Sequence, residues 1–297
     1  MTLLALVGAL SLGVGAAPPG AARSTPEAVA DFIAAEAERA RLPGVAFAIS
    51  DRSGVVLAGG RGAQPSACPS LSPDTPFEIG SLTKSFTAVL VLRAQAAGQL
   101  DLDAPVSRVL PDFPPTSAVG AATIRQLLHH RSGLAASAGF GAPDRERRVV
   151  ELRALRASSA PGERFEYSNA NYEVLGLVLE RVTGLAYPDL VQRDLLGPLD
   201  MAHSTAAPSA TPDAGLACGH QDWFGFKQVL RGGFAPAIPS AGALRASPRD
   251  MGAYLAFHLT ATAGGVLSPE HLDALHRPSR GTPYAMGWSA RTVGAQP

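Results

Sequence analysis

Strand-like and helix-like segments are kept apart along this chain, and that segregation narrows the folds open to it. Gly44-Val45-Ala46-Phe47-Ala48-Ile49 and Val55-Val56-Leu57-Ala58 are apolar runs on either side of Asp51-Arg52-Ser53-Gly54, so they read as a hairpin. Ahead of them, Ser24-Thr25-Pro26-Glu27 is a helix start, with a capping Ser three residues before Glu and Pro in the first turn. That helix should run to about Arg41, where Leu42-Pro43 ends it. From Ser81 the pattern turns helical, with Leu82, Phe86, Val89, Leu90 and Leu92 on or near one face, until Gly98 stops it. Thr123 to His130, Arg145 to Arg156, Asn169 to Thr183 and Pro248 to Thr262 read as further helices between Pro- and Gly-containing loops. Helices inserted between an N-terminal hairpin and later strands predict an α+β fold.

Composition closes off other classes. The chain has 297 residues, 46% hydrophobic and 17% charged, enough to bury a sizeable core. Its 25 basic and 25 acidic residues cancel, which argues against nucleic acid or an anionic membrane surface as partner. Two cysteines, Cys68 and Cys218, exclude a disulfide-dense scaffold and an all-cysteine zinc site. Residues 1–22 carry no charge and run apolar from Leu3 to about Val14 before Pro18-Pro19, which resembles a secretory signal without its basic start. The expectation is that residues 23–297 form one domain, exported to the periplasm or the exterior. No other stretch is long and apolar enough for a membrane span.

Only two of the 25 basic residues are lysine, Lys84 and Lys227, and Asn169 and Asn171 are the only asparagines. Ser81-Leu82-Thr83-Lys84 sets a hydroxyl and an amine three positions apart at a helix N-terminus, where both face one side. Free N–H groups there stabilise developing negative charge. A lysine made neutral by burial can take the serine proton. Alone the pattern is weak, because chance supplies it in about one such chain in seven. Tyr167-Ser168-Asn169 adds a phenol suited to acid–base work and an amide able to hold a substrate amide. Chance supplies Y-x-N in roughly 3% of such chains, so the two motifs together carry more weight than either.

With these motifs on the page, the chain resembles the serine β-lactamase and penicillin-binding superfamily, on its class C, D,D-peptidase and esterase branch. The likeness lies in Phe77–Ala88, Gly98–Val106, Thr123–Leu134, Phe165–Tyr172, Pro239–Leu244 with Asp250-Met251, and Met286-Gly287-Trp288, and covers about residues 25–290. It implies an antiparallel sheet flanked by helices with a helical insert. It implies Ser81 as acylated nucleophile, Lys84 as its activator, Tyr167 as base towards Ser81 or a deacylating water, and Asn169 as holder of the substrate amide. The Ser81 N–H would form half of the oxyanion hole. No metal or organic cofactor belongs to this branch, and the substrate would be a β-lactam, a D-amino-acid peptide or an ester. Glu166 receives no catalytic role.

The family's third motif, K-T-G or H-x-G, normally follows the Gly-Trp segment, and Ser289 to Pro297 contain neither form; Arg291-Thr292-Val293-Gly294 is a poor echo. The resemblance implies that the C-terminal strands of the sheet are missing with it. The expectation is a fragment of a longer gene product, and the alternative a catalytically impaired, binding or regulatory protein on the same fold. Among other features, His129-His130 invites a Ser–His dyad, but the family uses that stretch structurally. Cys218-Gly219-His220 offers two metal ligands without a second pair. Cys68 and Cys218 can pair if the chain is exported. The aromatic run Gln221–Phe226 reads equally as cleft lining or packed core loop.

Overall fold

A computed structural model of the chain describes residues 25–62, 68–136, 139–207, 215–224, 226–230, 234–260 and 265–290. The signal-like segment 1–22, Ser24 and the Arg291–Gly294 echo lie outside these residues. The order is α1 (Pro26–Arg39), β1 (Val45–Asp51), β2 (Gly54–Arg61), β3 (Phe77–Glu78), α2 (Thr83–Ala96), α3 (Val106–Val109), α4 (Ala118–Ala121), α5 (Ile124–Leu128) and α6 (Arg145–Arg153). It continues with α7 (Asn169–Thr183), α8 (Tyr187–Val191), β4 (Gly219–Trp223), β5 (Phe226–Leu230), β6 (Arg245–Ala246), α9 (Pro248–Thr260) and α10 (Pro269–His276). This is an α+β fold in which small antiparallel sheets are flanked by helices.

The expected helices are present with local corrections. Thr25, not Ser24, caps α1, its hydroxyl accepting from the Ala28 N–H at 3.2 Å. Helix α5 stops at Leu128 because His130 takes a left-handed φ of 53°. Its start is a capping box between Thr123 and Gln126. Helix α6 ends at Arg153 rather than Arg156. Helix α7 spans the expected residues and closes on Gly184, whose left-handed φ of 71° favours a residue without a side chain.

β1 and β2 pair antiparallel from Val45–Arg61 to Asp51–Gly54. Helix α9 lies across them where Gly252 leaves no gap: a Cβ there would stand 2.9 Å from both Ser50 Oγ and Val55 Cγ2. Ser50 Oγ uses that closeness to donate to the Gly252 carbonyl at 2.8 Å. The hairpin β4–β5 was not expected, and it carries the aromatic run. Phe224 sits at the hairpin turn and is 86% exposed.

The core is built around α2 and α7. Phe86, Val89, Val91, Val174, Leu175 and Val178 are completely buried on them, each contributing about 1.5–3 kcal/mol. Among the described residues no helix is long and apolar enough to cross a membrane. Cys68 and Cys218 are joined in a disulfide, which removes Cys218 as a metal ligand.

Candidate active site

The helix expected to open at Ser81 is preceded by a tighter turn. Gly80 adopts a φ of 52°, and Gly80–Leu82 form a 3-10 turn running into α2. In such a turn residues i and i+3 nearly eclipse. Ser81 therefore stays exposed at the helix mouth while Lys84 is drawn beneath it, only 1% exposed.

Three oxygens surround the Lys84 amine. Lys84 Nζ lies 3.1 Å from Ser81 Oγ, 2.8 Å from Asn169 Oδ1 and 2.6 Å from the Ala241 carbonyl. Asn169 comes from the first turn of α7. Ala241 comes from the turn Pro239–Ala241, pressed onto α7 where Gly176 lacks a side chain; a Cβ there would meet Ser240 Oγ at 2.2 Å. Ser240 Oγ donates to the Tyr172 carbonyl, Thr87 Oγ1 to the Ser240 carbonyl, and the Leu244 N–H to Thr83 Oγ1, so both helices grip this turn.

Burial lowers the Lys84 ammonium to about 7, and the buried Glu173 carboxylate opposes that shift. The distances then dictate the lone pair. The Asn169 and Ala241 oxygens can only accept, so a neutral Lys84 spends its two N–H bonds on them and turns its lone pair to Ser81 Oγ. Tyr167 Oη lies on the other side of the serine and donates to Ser81 Oγ at 2.9 Å. Burial raises the Tyr167 phenol, with the Ser81 bond pulling the other way. The resting arrangement is thus a protonated tyrosine and a lysine poised near neutrality.

Ser81, Lys84, Tyr167 and Asn169 are all brought together. Ala241 was missed, and no sequence signal could have found it, since the atom that meets Lys84 is a backbone carbonyl. Glu173 was also missed, although it stands four residues after Asn169 on the same helix face. It is fully buried against Arg148, whose Nε reaches Oε1 at 3.0 Å and Nη2 reaches Oε2 at 2.5 Å. Burial raises the Glu173 carboxyl and Arg148 opposes the rise. Glu166 points away, accepting from Ser158 Oγ, the Ala136 N–H and Arg164, and these bonds hold it down to about 2. His130 makes no dyad with Ser81, because its ring nitrogens are engaged by Ser168, Asn171 and Tyr284. Among the described residues no group of three or more His, Cys, Asp or Glu is placed to hold a metal.

Comparison with known proteins follows the same lines. Protein flp of Staphylococcus aureus (strain MW2) is 33% identical over 177 residues, covering 57% of this chain and 36% of its own length. Esterase EstB of Burkholderia gladioli is 38% identical over 148 residues, covering 43% and 38%. The chain thus spans little more than a third of these relatives. Among solved structures, the octameric penicillin-binding protein homologue from Pyrococcus abyssi superposes with a TM-score of 0.72 at 25% identity, over 87% of this chain and 63% of that one. The Beta-lactamase family model matches residues 29–296, and the chain belongs to that family.

Proposed function

We propose that this chain is a serine acyl hydrolase that works through an acyl-Ser81 intermediate. The observation that carries the reading is the placement of Ser81 Oγ between Lys84 Nζ at 3.1 Å and Tyr167 Oη at 2.9 Å. Neutral Lys84 takes the Ser81 proton as Oγ bonds to the substrate carbonyl carbon. The oxyanion forms beside the N-terminal turn of α2, with the Ser81 N–H as one donor. Tyr167 gives its proton to the leaving nitrogen or oxygen as that bond breaks, and Lys84 returns a proton to the phenolate. In deacylation water attacks the ester, its proton passes to the Tyr167–Lys84 pair, and Ser81 is regenerated. Asn169, whose Oδ1 accepts from Lys84, is the group assigned to the substrate amide. No step needs a cofactor.

The substrate class is an ester or amide: a simple ester, a D-amino-acid peptide or a β-lactam. The EstB likeness supports the ester. The Cys68–Cys218 disulfide supports an oxidising compartment, with residues 1–22 as the export segment and 23–297 as the hydrolase domain. The test is intact mass after incubation with a small activated ester and, separately, with a penicillin. An adduct or turnover absent from Ser81→Ala and Lys84→Ala is the expected result. A folded wild-type chain that forms no adduct and turns nothing over would leave a binding protein on this fold.

A further inference from the structure

His130 holds the chain on both sides of Tyr167. Its backbone carbonyl accepts from the Glu166 N–H at 2.8 Å, and its ring Nδ1 accepts from the Ser168 N–H at 3.2 Å. Between these anchors its ring lies against the Tyr167 ring, centroids 4.3 Å apart at 36°. The residue is completely buried and sits at a φ of 53°, a conformation in which a ring-bearing side chain is kept only where surrounding contacts hold it.

The network also fixes its proton. Asn171 Nδ2 lies 2.9 Å from Nδ1, and Asn171 is oriented by Ser132, whose Oγ donates to Asn171 Oδ1 at 2.6 Å. Two donors converge on Nδ1, so that nitrogen carries the lone pair and Nε2 carries the hydrogen. Nε2–H then donates to Tyr284 Oη at 3.2 Å. A second proton on the ring would face the Ser168 N–H, and burial with the nearby Lys84 charge holds the imidazole well below its ordinary range.

We propose that His130 is a positioning residue for Tyr167, which sets the phenol against Ser81 by bracketing its backbone and stacking on its ring. It touches neither substrate nor the reacting atoms. The proposal rests on the acyl-Ser81 reading for its kinetic consequence, and on geometry alone for its structural one.

The experiment uses the full chain with His130→Leu and His130→Asn, each also in a Tyr167→Phe background. His130→Leu keeps apolar bulk but leaves the Ser168 N–H without its acceptor. His130→Asn keeps an acceptor oxygen near the Nδ1 position and tolerates the left-handed backbone. Displacing a reacting group by about 1 Å costs on the order of 10²-fold, so His130→Leu should lower ester kcat by about that factor with KM within about twofold. His130→Asn should recover part of the loss. In the Tyr167→Phe background both substitutions should change kcat by less than about twofold, because the group they position is already disabled. An equal loss in both backgrounds overturns the proposal and leaves His130 a stability residue.

If the wild-type chain turns nothing over, the acyl-Ser81 reading fails, and amide hydrogen exchange still decides this inference. Ser168 N–H protection in wild type and His130→Asn, lost in a folded His130→Leu, supports it. An unprotected Ser168 N–H in wild type overturns it.

Discussion

Helices α1 and α7 have 14 and 15 residues and good ends, yet they stand in different surroundings. Eleven residues of α7 are buried, and four of them, Asn169, Asn171, Tyr172 and Glu173, are polar groups with partners in other elements. No residue of α1 is buried, and Phe32 on it is 65% exposed. A helix can therefore be specified by its own capping and spacing without being tied to the core. What α7 adds is the set of polar side chains whose burial is tolerable only because each meets a partner. Two of them bear on Lys84: Asn169 accepts from its amine at 2.8 Å, and the Glu173 carboxylate acts on its charge.

The sharpest break of that comparison is at Lys84. Lys84→Ala should lower the acylation rate by about 10²–10⁴-fold, while any surface substitution on α1 leaves it unchanged. The pH dependence has a definite sign. Only neutral Lys84 can accept the serine proton, so the rate should climb with pH through about 7 and level off above it. Stability follows the same group. Between the folded value near 7 and the ordinary lysine value of 10.5, the unfolded chain binds more protons, so stability should rise with pH across that window. Stopped-flow acylation and urea melts from pH 6 to 10 measure both, and a flat profile in each would remove Lys84 as the base.

Next in size is the buried pair behind it. Glu173→Gln leaves Arg148 without its buried counter-charge and should cost about 3–5 kcal/mol in urea unfolding. Because the Glu173 carboxylate raises the Lys84 value, its loss should also move the rising limb of the rate profile to lower pH. A large loss of stability without that movement would separate the scaffold role from the electrostatic one.

Much of this was legible in the sequence, and the gaps have physical causes. The caps and apolar spacing of α2 and α7 are local, so their placement followed from residues close in the chain. Ser81, Lys84, Tyr167 and Asn169 could be singled out as candidates because their chemistry shows in side chains at fixed spacing. The Ala241 carbonyl carries no such mark, since any residue could offer it. β4–β5 was missed because Gly219-His220-Gln221-Asp222 lacks the apolar alternation that announces a half-buried strand. His130 was read as part of a structural stretch, and what it holds became visible only when α5 was seen beside the start of α7.

The covalent link on the strand side is the third test. Cys68 and Cys218 are 150 residues apart in sequence and tie the segment before β3 to the start of β4, where the Ala217 N–H also meets the Pro76 carbonyl at 2.9 Å. Reduction should cost about 2–4 kcal/mol, read as a lower urea midpoint for the reduced chain. Helix α7 needs no such link. A reduced chain as stable as the oxidised one would mean that packing already holds the strand side as firmly as it holds the helices.

The smallest effect belongs to α1, and its contrast with the core makes it informative. Leu90→Ala in α2 empties a site only 2% exposed and should cost about 2–5 kcal/mol, the range set by how far neighbours collapse into the space. Phe32→Ala removes a larger side chain from a position 65% exposed and puts the best helix former in its place. The lost contact area and the gained propensity nearly offset, so the change should stay within about 0.5 kcal/mol. Parallel urea titrations of the two variants decide this. A Phe32→Ala loss above about 1 kcal/mol would mean that this ring is covered in solution and that α1 is anchored more as α7 is, against a surface that Phe32 itself helps to form.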